Sequence, residues 1–175
     1  MRAPESVDLV GRAFTFLGPG SPDYWVNMVV DERIRELLAS TEIFLHPTDF
    51  TLVSIDPREE QKARSLLLSL EPFSSVTFDL AEVSLVVDSD AWAELRGEFG
   101  SFREEGPYRL ITFDIVLDLS IVGFLAAVSA RLAEAGVSIY ALSTFLRDHI
   151  LVKAGDAERA MGVLRALIEE CKEQG

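Results

Sequence analysis

The sequence predicts an α+β fold built from two β-α-β-β-α halves, each with its helices on one face of an antiparallel sheet. Two observations carry this. "FTLVSID" (50–56) and "YRLITFD" (108–114) match in character position by position: aromatic, polar, Leu, β-branched, hydroxyl, apolar, Asp. Each is then followed by the same succession of helical and strand-like periodicities.

Both matched segments read as strands, short enough to be buried and rich in β-branched residues. After the first, Asp56 can cap a helix, Pro57 suits its first turn, and Glu59 and Glu60 favour the positive end of its dipole. Ala63, Leu66, Leu67 and Leu70 would form its apolar face. After the second, Ser120 is the expected cap, with Ile121, Phe124, Leu125, Val128 and Leu132 as the stripe, and Gly136 ends the helix in the left-handed region.

Two strands follow in each half: "SSVTFDL" and "EVSLVVD" in the first, "VSIYALS" and "HILVKA" in the second. A helix closes each half, short around Trp92 and Leu95 in the first and running from Asp156 to about Lys172 in the second. With one more strand borrowed or appended, each half is a split βαβ, ferredoxin-like βαββαβ unit. The expected boundaries are 50–105 for the first module and 106–175 for the second. Residues 1–49 form an extension in which "GRAFTF" looks like a strand that could complete either sheet. "GPGSP" (18–22) reads as a loop and "DERIRELLA" (31–39) as a helix.

Composition narrows the function. Half of the 175 residues are hydrophobic and a quarter are charged, the balance of a soluble globular protein. A formal net charge of −13 without any basic run argues against nucleic acid, which is bound through clustered Lys and Arg. No apolar run is long enough to span a membrane, and "MRAPESVDLVGRAF" lacks a secretory core, so the cytosol is the expected location. Cys171, the one cysteine, falls on the stripe Ala160, Leu164, Leu167, Cys171 and reads as an apolar filler.

Catalytic and metal patterns are weak. Ser143, Asp148 and His149 lie close in sequence, but neighbouring strand residues point to opposite faces, so Asp148 and His149 cannot readily form the base and orienter of a triad. Two isolated histidines, His46 before Pro47 and His149 on a strand, give no metal-ligand spacing. "GPGSP" lacks the Lys-Ser/Thr and the strand-to-helix frame of a phosphate loop. No enzyme activity, metal or cofactor is therefore expected.

"DLSIVGFLA" (118–126) and "GVSIYALSTFLRDHILV" (136–152) carry a resemblance to a known family. They resemble the tandem ACT-domain proteins related to eukaryotic cytosolic arginine sensors and their small prokaryotic relatives. The matching positions are Asp118, Ser120, Gly123, Gly136, Ser138, Ser143, Thr144, Phe145, Asp148, Leu151 and Val152, and "SVTFDLAEVSLVVD" (75–88) resembles the strand pair of the preceding module. The resemblance implies a regulatory amino-acid-binding fold with ligands between two ACT modules, and no catalysis. This chain departs from the pattern at Leu146 and Arg147, where short polar residues are common, and at Ile121 and Val122, where Thr, Cys or an acid is common.

The residue chemistry suits a zwitterion. A helix N-terminus after Ser120 would attract a carboxylate, Gly123 would allow close approach, and Asp118 or Asp148 would accept an ammonium. Phe145 would wall a side chain, Arg147 would clamp an acidic one, and Ser143 and Thr144 complete the expected set. Each also has a structural role open to it: Ser120 as cap, Asp148 as turn former, Gly123 as packing glycine. Incomplete sheets with open edges point to a homodimer. The alternative is a ligand-free interaction module that docks a partner protein through a sheet edge or helix face.

Overall fold

A computed structural model describes residues 30–66 and 73–174. Two unusually long strands organise it. Strand β1 (Glu42–Ile55) and strand β4 (Phe102–Asp114) pair antiparallel along their length at the centre of a six-stranded antiparallel sheet. Around them lie α1 (Glu32–Ser40), α2 (Glu60–Leu66), β2 (Ser75–Phe78), β3 (Val83–Asp88), α3 (Ser89–Leu95), α4 (Phe124–Glu134), β5 (Ile139–Ser143), β6 (Asp148–Lys153) and α5 (Ala157–Glu173). The sheet order is β2-β3-β1-β4-β6-β5. Among the described residues no helix is long and apolar enough to cross a membrane.

The order contains two ferredoxin-like sets that share their central strands. In chain order, β1-α2-β2-β3-α3-β4 forms the first. The second runs β4-α4-β5-β6-α5, and its fourth strand is the first half of β1, where Glu42, Ile43, Phe44 and Leu45 pair with Asp114, Phe113, Thr112 and Ile111. The strand expected to begin at Phe50 thus starts eight residues earlier. "GRAFTF" and "GPGSP", together with Leu67, Leu70 and the side chain of Leu66, lie outside the described residues.

The described helices cover one face of the sheet. Val53 and Ile55 of β1 and Val83, Leu85 and Val87 of β3 pack with Ala63 of α2 and Trp92 of α3. Ile111 and Phe113 of β4 and Ile150 and Val152 of β6 pack with Ile34 and Leu38 of α1, Phe124, Val128 and Leu132 of α4, and Leu164 and Leu167 of α5. Phe50, Val86, Tyr108, Leu110 and Leu151 form a third cluster on the opposite face. Facing residues are even-numbered at Phe102 and Glu104 but odd-numbered at Ile111 and Phe113. A bulge between the pairs Phe50–Tyr108 and Leu52–Glu105 inserts one residue into β4 and switches the parity. Gly106 sits there because a Cβ would meet the Phe50 carbonyl at 3.1 Å.

Local signals explain most helix ends. Asp31 caps α1 through the Ile34 N–H at 2.8 Å, and Asp56 accepts the Arg58 N–H at 2.9 Å to start the turn before α2. Gly136, with φ of 68°, closes α4: its N–H reaches the Ala133 carbonyl and that of Val137 the Leu132 carbonyl, both at 2.9 Å. Cys171 is buried on the predicted stripe of α5, and burial pushes its thiol up.

The start of α4 departs from the expectation. The helix begins at Phe124, and its N-cap is Gly123 with φ of 105°, not Ser120. Ser120 instead donates its N–H to Asp118 Oδ1 at 2.8 Å, and Ile121 donates to the Asp118 carbonyl at 2.9 Å, closing an Asx-type turn. Asp-x-Ser before an apolar stripe suits a cap, but here it makes a turn and the helix starts only after Gly123.

Gly136→Ala should lower unfolding free energy by about 1 kcal/mol in urea titrations, because alanine must adopt the left-handed conformation with no clash to relieve. Gly155→Ala, whose added Cβ also meets nothing within 4 Å and whose φ lies outside that region, is the control and should cost far less.

Candidate functional site

Two loops meet at one end of the second set. The first, residues 115–123, leads from β4 to α4, and the second is the β5–β6 turn, residues 144–147. The Leu117 N–H donates to the Leu146 carbonyl at 2.9 Å and fixes one loop against the other. The turn closes on itself through the Thr144 N–H and the Arg147 carbonyl at 2.8 Å.

Between the loops lies a cavity of about 210 Å³. Of the residues expected in a site, Asp118, Gly123, Ser143, Thr144, Phe145, Arg147 and Asp148 line it; Ser120 does not, being engaged behind Asp118. Sequence reasoning missed the apolar wall of Leu117, Leu119, Phe124 and Leu125, of which it placed Phe124 and Leu125 on a core stripe. It also missed Asp114, whose Oδ1 accepts the Arg147 Nε–H at 2.9 Å. Nothing local in sequence joins those two residues.

The polar groups suit a zwitterion. The N–H groups of Phe124, Leu125 and Ala126 have no acceptor within the helix, since the first helical bond runs from the Ala127 N–H to the Gly123 carbonyl at 2.9 Å, and Gly123 offers no side-chain cap. The Ser120 hydroxyl and N–H hold the exposed Asp118 carboxyl below its ordinary range. Asp148 accepts the Ser143 hydroxyl at 2.5 Å. His149 takes no part in that pair: it lies on the opposite face of β6, so Ser143, Asp148 and His149 do not form a catalytic chain.

The corresponding end of the first set is built differently. There β1 passes through Asp56 directly into Pro57, with no long loop. Glu82, the last residue of the β2–β3 turn, is engaged by the hydroxyls of Ser54 and Ser84 and by Arg103.

Behind the Thr144 turn, a chain of hydrogen bonds crosses the sheet's other face. His46 Nε2 lies 3.0 Å from Thr112 Oγ1, which lies 2.9 Å from His149 Nδ1; His149 Nε2 is 3.4 Å from Thr144 Oγ1, whose proton goes to the Arg147 carbonyl at 3.2 Å. One assignment satisfies all four contacts. His149 donates from Nε2 to Thr144, accepts from Thr112 at Nδ1, and Thr112 accepts from His46. It requires a neutral His149. Burial pushes both imidazoles below their ordinary value, and for His149 the His46 charge adds to this while Asp148 opposes it. Among the described residues no group of three or more His, Cys, Asp or Glu side chains is placed to hold a metal ion.

The pH dependence follows in sign. A histidine held below its unfolded value stabilises the fold fully above about pH 6.5 and loses that contribution as pH falls through the folded value. Urea unfolding at pH 7.5 and 5.5 should show lower stability at the acid end, with a smaller drop in His149→Gln.

Comparisons with known proteins bear on the fold that carries these loops. Residues 104–166, which span β4 to α5, match the ACT domain family. Among solved structures the chain is similar to a Vibrio cholerae protein of unknown function described as a possible transport protein. The identity is 26% and the TM-score 0.57, over 75% of this chain and 94% of that one. An Agrobacterium tumefaciens protein aligns at 20% identity and TM-score 0.61 over 73% and 89% of the two chains. The regulatory subunit of aspartate kinase from Thermus thermophilus aligns at 14% identity and TM-score 0.56, over 73% and 99%. No curated protein matches the chain. The match to the ACT domain family therefore covers residues 104–166, within a fold similar to that of aspartate kinase regulatory domains.

Proposed function

We propose that this chain is a non-enzymatic regulatory protein that binds a small amino acid in the cavity between the 115–123 loop and the β5–β6 turn. The observation that carries the reading is the convergence there of α4's open N–H groups with the carboxylates of Asp118 and Asp148. The first group suits a ligand carboxylate and the second its ammonium. Residues 50–105 are read as the first ACT-like module, whose equivalent end is occupied by its own side chains, so each chain offers one site.

The rim of this cavity favours a covered site. Val122 is 85% exposed and Phe145 77%, and Val116, Leu119 and Leu146 are exposed beside them. Apolar side chains gathered at a cavity mouth mark a surface that meets another. We read the partner as a second copy that closes the ligand at an interface between ACT modules, in a homodimer. The same rim would serve the alternative, a ligand-free module docking a different protein.

Thermal unfolding with each of the twenty amino acids at millimolar concentration tests the ligand. Saturation at about 100 times the dissociation constant adds roughly 2.7 kcal/mol, on the order of 5–10 °C for a chain of this size. One amino acid should give such a shift, and Asp148→Ala should abolish it. No shift with any of them would leave the docking reading ahead. Sedimentation equilibrium should return a dimer, and Phe145→Asp should move it toward monomer.

A further inference from the structure

Arg147 is the residue that, from sequence, suggested an acidic ligand, and its surroundings argue the reverse. Its Nε donates to Asp114 Oδ1 at 2.9 Å. Asp114 is the last residue of β4 and stands opposite Glu42, the first of β1, so a second carboxylate begins the neighbouring strand. Asp148 follows Arg147 directly, and Asp118 lines the same cavity. Asp118 and Asp148 line the cavity and Asp114 reaches it through Arg147, and against these three carboxylates stand Arg147 and Arg33, the latter near enough to Asp118 to favour its charged form. The site is net negative before any ligand enters.

A zwitterion with a neutral side chain adds no net charge to that field. Its ammonium is favoured by Asp118 and Asp148, and its carboxylate has the α4 N-terminus. A second carboxylate on the ligand would have to compete with Asp114 for Arg147 while facing the remaining acids. A cationic side chain would find the field favourable but would lose its hydration against Leu117, Ile121, Phe124, Leu125 and Phe145. Those same five side chains offer apolar contact to an aliphatic one.

Resting on the ligand-site reading above, we infer that the ligand is an amino acid with a neutral aliphatic side chain. Asp114 is then the specificity-determining residue, because it holds Arg147 away from acidic ligands. It acts through Arg147 and is a positioning residue.

Thermal shifts of the full chain with L-leucine, L-valine, L-aspartate, L-glutamate and L-lysine test this. Leucine or valine should raise the melting temperature of the parent, while aspartate, glutamate and lysine at equal concentration should not. Asp114→Asn keeps the side chain's shape and removes its charge. It should bind glutamate or aspartate on the order of tenfold more tightly than the parent does, the scale of one charge-assisted pair gained. That gain should vanish in Asp114→Asn/Arg147→Leu. Asp114 is exposed, so the ligand-free melting temperature of the single variant should stay near the parent's. Acidic amino acids or lysine binding the parent as tightly as leucine would overturn the inference and leave the ligand site standing. So would an acid-to-aliphatic ratio that does not change in Asp114→Asn. Silence from every amino acid in parent and variants would remove the site itself.

Discussion

The pairing of β1 with β4 is the interaction on which everything else rests. Each strand is long enough to serve two neighbours in succession: β1 supplies the fourth strand of one set and then the first of the other, and β4 does the same with the two sets exchanged. Neither set has a complete sheet without a strand that belongs equally to its neighbour. The helices follow from this, since both sets must turn their apolar faces to the same side of one continuous sheet. The halves are therefore joined by backbone hydrogen bonds at the centre of the molecule, where burial makes such bonds hardest to replace.

That arrangement also decides where chemistry can sit. At the Asp114 end of β4 the chain has nine residues to spend before α4 begins, and the loop stands open over the β5–β6 turn. At the Ile55 end of β1 it passes into a turn at once. Two sets of like topology thus present unlike ends. The open end gathers backbone donors, carboxylates and one guanidinium within a single loop pair, whereas the other has its polar groups committed to one another.

Much of this was legible in the sequence because it is written in short-range patterns. The strand pairs after each first helix, the capping Asp56, the stripe of α5 and the αL Gly136 all follow from periodicity and turn chemistry. The β5–β6 turn residues were legible because they are contiguous. What escaped notice is long-range. Asp114 meets Arg147, and Thr112 meets both His46 and His149, only through strand register. Register in turn depends on irregularities around Pro47 and Gly106 that no local pattern announces. Ser120 was misread for a different reason: Asp-x-Ser before an apolar stripe suits a cap and an Asx turn equally, and Gly123, free to take a positive φ, let the helix start later.

The single extra residue at Gly106 deserves a last consideration, for it acts on the molecule as a length and not as a chemical group. Along β4, side chains alternate between the helix-covered side and the opposite side, and the insertion resets that alternation midway. Without it, Ile111 and Phe113 would be carried away from the helices and Thr112 toward them, while Phe102 and Glu104 kept their places. Half the sheet would present the wrong side to its helices even though every residue type were unchanged. Which surface of the second set is interior, and hence which side of the turn carries the cavity and which the paired imidazoles, is thus counted out in residues before it is decided by hydrophobicity.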